Sequence, residues 1–276
     1  MSSSLIFKSI GHGQTLVFIH GWGLNSGVWQ PLAEKLSEHY QVITIDLPGF
    51  GLNTENTLEE YTLAKVSEQI AHTINTPAVY IGWSLGGLVA TNIAINYPEK
   101  VQGLITIASS PCFEEKVLEE KALGVTNVDE TLNNWPGIKA NVLTLFHQQL
   151  GDNIQKTLDG FLKIQAMGSP HIRQDIKQLR DLIMAYPLPS QETLDKSLTL
   201  LSSEDLRSQL IQIKVPFLRL YGKLDSLVPK TAITHINQLA PNSEYSIFAK
   251  ASHAPFISHF DEFYQQLTQW LDQHFK

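Results

Sequence analysis

Residues 80–90 read YIGWSLGGLVA, a strand-like run that passes into a helical one through a serine set between glycines. Ala78, Val79, Tyr80 and Ile81 are apolar and mostly β-prone, whereas Leu88, Val89, Ala90, Ile93 and Ala94 recur at helical spacing. Ser84 marks the junction. Gly82-Trp83-Ser84-Leu85-Gly86 fits G-x-S-x-G, a strained strand-to-helix turn that lifts a serine hydroxyl above a sheet. A side chain at either glycine would collide with the neighbouring helix or strand. The plainer alternative is a glycine-rich turn that only packs a helix on a strand.

The pattern extends outward from that turn. Thr15 to Ile19, Val42 to Ile45, Ala78 to Ile81 and Leu104 to Ala108 read as buried strands, with a weaker first strand near Leu5 to Lys8. Trp29, Leu32 and Leu36 share a helix face between them, as do Leu63, Val66, Ile70 and Ile74. The alternation predicts βαβ units and a parallel sheet. It resumes with a strand at Phe217 to Tyr221, a helix around Ala232 to Leu239, a strand at Tyr245 to Phe248 and a last helix carrying Phe263, Leu267 and Trp270. From about 113 to 203 no strand run appears, and Ile154, Leu158, Phe161 and Leu162, then Ile172, Ile176, Leu179 and Ile183, fall on helical spacing. The expected architecture is α/β, a mostly parallel central sheet flanked by helices. Residues 1–112 and 204–276 form the core and 113–203 an inserted helical cap, with a site beneath it. The charged run EEKVLEEKALGVTNVDE (114–130) is expected to be mobile.

The chain has 276 residues, 43% hydrophobic and 17% charged, enough for one large core with an inserted subdomain. No run of about 20 apolar residues occurs and the start lacks signal-peptide character, so a cytoplasmic protein with no membrane partner is expected. One cysteine, Cys112, excludes an internal disulfide. A net charge of −7 argues against general affinity for nucleic acid.

A serine hydroxyl needs a base within hydrogen-bond reach and a third group that orients the base. On a sheet of this type the partners follow in the order Ser, Asp or Glu, His, each on a loop after a later strand. Asp225 in YGKLDSLVP and His253 in AKASHAPF stand directly after the last two strand runs. Asp46 precedes the serine and Asp205 lies ahead of its strand, so both rank behind Asp225. His39, His72, His147, His235 and His274 fall in helical or surface-like stretches and read as ordinary core or solvated histidines. Ser84, Asp225 and His253 are thus the candidate catalytic residues. For the developing oxyanion the candidate donors are the backbone N–H groups of Leu85 and of Trp22, the latter in FIHGWGLN after an early strand. DLPGFG (46–51) reads as a shaping turn, and Cys112 as a small buried residue. No metal-binding cluster, P-loop or dinucleotide fingerprint occurs, so neither metal nor organic cofactor is implied.

HGWGLN, DLPGFG, GWSLGGLVA and the late Asp and His resemble the α/β-hydrolase superfamily over nearly the whole chain outside the insertion. With ASSPCF, WPGI, FLRLYG, LDSLVP and AKASHAPFISH they more closely resemble the pimeloyl-[acyl-carrier protein] methyl ester esterase family of biotin synthesis. That resemblance implies hydrolysis of a methyl ester on a carrier-bound pimeloyl chain, with an acylated acyl carrier protein as substrate. It also implies substrate contacts at Trp22, Leu85 and the cap segment Phe146-His147-Gln148-Gln149-Leu150, His147 replacing a glutamine of the family pattern. Residues 114–131 look like an extension of the link into the cap.

Acyl carrier proteins are acidic, so an acidic chain needs a local basic face. Residues 151–182 carry net +1, leaving −8 elsewhere. Arg173, Lys177 and Arg180 at i, i+4 and i+7 share one helical face, and with Lys156 they are the candidate carrier-docking residues. A merely solvated helix face is the competing reading. Other substrates for the same triad (short-chain or aryl esters, lactones, carbon–carbon bonds) stay open from the residues alone, as does a binding protein with a relic triad. A monomer is the expected state.

Overall fold

The computed structural model describes residues 4–117, 134–152, 154–167, 169 and 171–275, so the charged run from 118 to 130 lies outside the described residues. A seven-stranded sheet forms the centre: β1 (Phe7–Ile10), β2 (Thr15–Ile19), β3 (Gln41–Ile45), β4 (Ala78–Trp83), β5 (Val101–Ile107), β6 (Phe217–Gly222) and β7 (Glu244–Phe248). Their spatial order is β1-β3-β2-β4-β5-β6-β7; β1 runs antiparallel to β3 and every other pairing is parallel. Consecutive residues of the inner strands go to opposite faces and both faces are covered. Val17, Ile19, Ile43, Ile45 and Tyr80 pack with α2 (Leu63–Thr73) and α3 (Leu85–Asn96). Leu16, Phe18, Val42, Val79 and Ile81 pack with α1 (Gln30–Leu36) and the C-terminal helix Phe260–Phe275. This double burial is why those strands read as unbroken apolar runs.

The first strand differs from its expected position. Leu5 is buried and its N–H donates to Thr73 Oγ1 at 3.1 Å, which anchors the chain ahead of the strand. The strand proper, Phe7–Ile10, is exposed at the sheet edge, so it carries no alternation to reveal its register.

Among the described residues between β5 and β6 lie four α-helices, α4 (Ala140–Asp152), α5 (Ile154–Ala166), α6 (Ile172–Ile183) and α7 (Gln191–Ser203). They join the sheet through a short ladder: Glu115 and Lys116 N–H donate to Ile138 and Trp135 carbonyls at 2.9 and 3.0 Å, and Trp135 Nε1 donates to the Cys112 carbonyl at 2.8 Å. The last α-helices of the described residues are α8 (Lys230–Leu239), a single turn α9 (Pro255–Ser258) and α10 (Phe260–Phe275). Among the described residues no helix is long and apolar enough to cross a membrane.

Candidate active site

Ser84 stands between the end of β4 and the start of α3 at φ 55° and ψ −119°. A non-glycine residue in that region is strained, and the neighbourhood holds it there. Its N–H donates to Ile107 O at 2.9 Å, and its carbonyl accepts from Gly87 N and Ser109 Oγ at 2.9 and 2.7 Å. The flanking glycines are required by packing. A Cβ on Gly82 would lie 2.1 Å from Gly86 O, and one on Gly86 would lie 2.3 Å from Ile19 O.

Asp225 follows β6 and His253 follows β7, both at the carboxyl ends of the strands, where open parallel sheets collect their chemistry. Asp225 Oδ1 accepts the N–H groups of Leu227 and Val228 at 2.8 and 3.1 Å, and Oδ2 meets His253 Nδ1 at 2.8 Å. An ionised carboxylate only accepts, so the proton of that bond sits on Nδ1 and the Nε2 lone pair is left free. His253 is fully buried, and Nε2 has no hydrogen-bond partner. The carboxylate–imidazole contact is therefore made, while Nε2 carries no bond to the serine hydroxyl. The backbone of His253 is fixed from two sides: Trp83 Nε1 donates to its carbonyl at 2.8 Å and its N–H donates to Gln165 O at 3.2 Å. Trp83 occupies a variable position of the serine motif, and no spacing in the sequence announces that contact.

The loop after β2 lies directly against the serine, since a Cβ on Gly21 would stand 3.3 Å from Ser84 Cβ. His20, which sequence reasoning passed over, sets that loop. Its Nε2 accepts Leu47 N–H at 3.0 Å, so Nδ1 carries the proton and donates to Gly21 O at 2.8 Å. That carbonyl and the Trp22 N–H belong to one peptide plane and point opposite ways. Burial lowers the His20 pKa below the usual value, outweighing the attraction of Asp46 and the bond to Gly21. Asp46 in turn accepts from the backbone of Ser26 and Leu52, which builds the DLPGFG turn. Leu85 is the first residue of α3, and its N–H is among those with no intrahelical acceptor.

Above Ser84 is a small apolar cavity with a volume of only about 10 Å³. Leu227 lines it from the sheet side, and Phe113, Ile138, Leu143, Phe146, Phe161, Leu198 and Leu201 from the inserted segment. Of the expected contact segment 146–150, only Phe146 reaches this wall; Leu150 is buried, Gln148 and Gln149 are exposed, and His147 Nδ1 is 2.7 Å from Asp195 Oδ1. Five consecutive residues span more than one turn of α4, so they cannot all face one cavity. Trp22 is buried, donates through Nε1 to Leu194 O at 3.0 Å and packs edge-on against Phe161 at 4.8 Å.

The basic helix α6 exposes Arg173 and Lys177, whereas Arg180 is held by Asp159 of α5 at 2.5 Å. Lys156 is exposed on α5. Cys112 is buried and its thiol is pushed up to about 11, first by burial and then by Asp205, which leaves it a poor nucleophile.

The model of the alpha/beta hydrolase fold family matches residues 14–260. Two relatives named pimeloyl-[acyl-carrier protein] methyl ester esterase align over nearly the full chain. One, from Shewanella sp. (strain MR-7), is 48% identical over 266 residues, covering 95% of this chain and 92% of its own. The other, from Aliivibrio fischeri (strain MJ11), is 42% identical over 274 residues, covering 99% and 100%. Among solved structures, the esterase EaEST from Exiguobacterium antarcticum superposes with a TM-score of 0.82 at 22% identity, covering 97% of this chain and 95% of that one, a likeness of fold.

Proposed function

The chain belongs to the α/β-hydrolase family and, within it, to the pimeloyl-[acyl-carrier protein] methyl ester esterases, and from that premise we propose that Ser84, His253 and Asp225 hydrolyse the methyl ester of a carrier-bound pimeloyl chain. The observation that supports the catalytic roles most directly is the buried His253 imidazole, bound to Asp225 through Nδ1 with Nε2 left unpaired. Ser84 Oγ attacks the ester carbonyl as its proton passes to Nε2. The oxyanion that forms is received by the N–H groups of Leu85 and Trp22. His253 then returns the proton to the departing methoxy group, releasing methanol and leaving an acyl-enzyme. Water attacks the acyl carbon, its proton passes by way of His253 to Ser84, and the free carboxylate departs on its carrier. Asp225 keeps the imidazole in the required tautomer throughout. No step uses a metal or organic cofactor.

In this reading residues 113–203 act as a lid. The apolar wall suits a hydrocarbon chain, and a cavity of only about 10 Å³ means that the inserted helices move for substrate to enter. Arg173 and Lys177 face an acidic carrier, and the reaction takes place in the cytoplasm.

Replacing Ser84 by alanine should lower kcat by at least about 10³-fold without changing the thermal midpoint, and should abolish covalent labelling by a fluorophosphonate. Full activity in that variant would remove the triad from the mechanism. Rescue of a biotin-requiring strain by the wild-type chain and not by Ser84→Ala tests the pathway role. A kcat/KM for the pimeloyl methyl ester on its carrier no higher than for a p-nitrophenyl ester would assign the enzyme to a broader ester substrate.

A further inference from the structure

Gln165 is fully buried, and neither Oε1 nor Nε2 of its side chain has a hydrogen-bond partner. An unpaired buried polar group is costly to fold, so such a side chain in a folded protein calls for a partner supplied from outside the chain. Its position indicates which partner. Helix α5 crosses the site from the oxyanion loop to the histidine loop. Leu158 Cδ2 lies 2.8 Å from where a Cβ of Gly23 would stand, and Phe161 packs on Trp22 and lines the Ser84 cavity. One turn further along the same helix face, the Gln165 carbonyl accepts the His253 N–H at 3.2 Å. The backbones of Gln165 and His253 thus meet, and each residue carries an unpaired buried side-chain nitrogen, close in the chain to Phe161 of a cavity wall that is apolar apart from Ser84.

We propose that the Gln165 amide holds the oxygen that His253 serves, above all the water that attacks the acyl-enzyme. This rests on the reading that Ser84 is acylated. In deacylation the water oxygen bonds to the acyl carbon. One water proton moves to His253 Nε2 and from there to Ser84 Oγ as the carbon–Oγ bond breaks. The second water proton is held by Gln165 Oε1, while Nε2–H donates to the remaining lone pair of the same oxygen. Both amide atoms and the imidazole are then satisfied together. In acylation the departing methoxy oxygen has no proton to offer Oε1, so the amide contributes less to that half-reaction. Gln165 is therefore a water-positioning residue whose loss selectively slows the second step.

The test uses p-nitrophenyl butyrate, which reports acylation through release of the phenol. Gln165→Met preserves volume and removes the unpaired amide, so its melting temperature should equal or exceed that of the wild type. It should release about one p-nitrophenol per site in a burst, then turn over about ten- to a hundredfold more slowly than the wild type, with the butyryl adduct on Ser84 seen by intact mass. Hydroxylamine, a stronger nucleophile that needs no positioning, should restore turnover. Gln165→Ala, which keeps a strong helix former at the position, should accumulate the same adduct and answers the question if the methionine variant does not fold. Acylation and deacylation slowed equally, or a lowered melting temperature with the ratio of the two rates unchanged, would make Gln165 structural and overturn the proposal. If neither the variants nor the wild type acylates or takes a fluorophosphonate at Ser84, the acyl-enzyme reading itself fails, and this proposal with it.

Discussion

The two ring nitrogens of His20 face Leu47 N–H and Gly21 C=O, so only one neutral tautomer satisfies both, and a protonated ring would turn a donor against the Leu47 N–H. Because burial lowers its pKa, the native protein declines a proton that the unfolded chain accepts below the usual histidine value of about 6.5. The stabilisation is complete above that pH, diminishes as pH falls through the interval between the two values, and stops diminishing below the folded-state pKa. Between pH 7.5 and 5.5 this one residue should make the protein less stable as pH falls. Thermal unfolding between pH 7.5 and 5.5 should therefore show a shallower pH slope in His20→Asn than in the wild type, and equal slopes would reject the assignment. None of this was legible in FIHGWGLN, because the partner that fixes the ring lies 27 residues away, whereas chain order alone selected Asp225 and His253, which the structure brings together at 2.8 Å.

At the scale of an element, the glycines of α3 and α5 should respond to alanine with opposite signs. Helix α3 is pressed so closely on β2 that a Cβ at Gly86 meets backbone, which cannot rotate away. Gly86→Ala should cost about 2–4 kcal/mol and, by displacing the turn that carries Ser84, most of the activity. Gly160 lies within α5 with nothing within 4 Å of an added Cβ, so Gly160→Ala should stabilise by about 0.5–1 kcal/mol, chiefly by restricting the unfolded chain. Denaturant midpoints of the two variants check both signs, and a stabilised Gly86→Ala would mean the helix can shift at little cost. The same contrast explains what the sequence revealed of the elements. The inner strands are buried on both faces and read plainly, while the exposed strand β1 is displaced by two residues from its expected start. The segment 146–150 was expected only as a contact stretch within a helical insertion, and which of its side chains faces the cavity depends on how α4 is rotated against its neighbours.

At the scale of the whole molecule, an enzyme of net charge −7 that acts on a carrier-bound ester depends, in the proposal above, on the inserted helices to attract an acidic carrier. Asp175, which lies between Arg173 and Lys177 on α6, is buried with its carboxylate on Ser169 Oγ, so it is withdrawn from the surface the two cations share. Arg180 is paired with Asp159 and serves mainly to hold α5 and α6 together. The three basic residues that one helical face presents in sequence are thus divided by the structure into two exposed cations and one interhelical tie. Reversing the pair, Arg173→Glu with Lys177→Glu, should raise KM for the carrier-bound ester about tenfold at low salt while leaving kcat and the hydrolysis of a small methyl ester unchanged. That penalty should fade towards about 1 M salt, where the screening length has shrunk to about 3 Å. Arg180→Glu should instead weaken the contact between α5 and α6 and lower the melting temperature. Steady-state kinetics of the three proteins on both substrates across that salt range separate docking from stability. Unchanged KM in the doubly reversed variant would mean that the carrier approaches over another face.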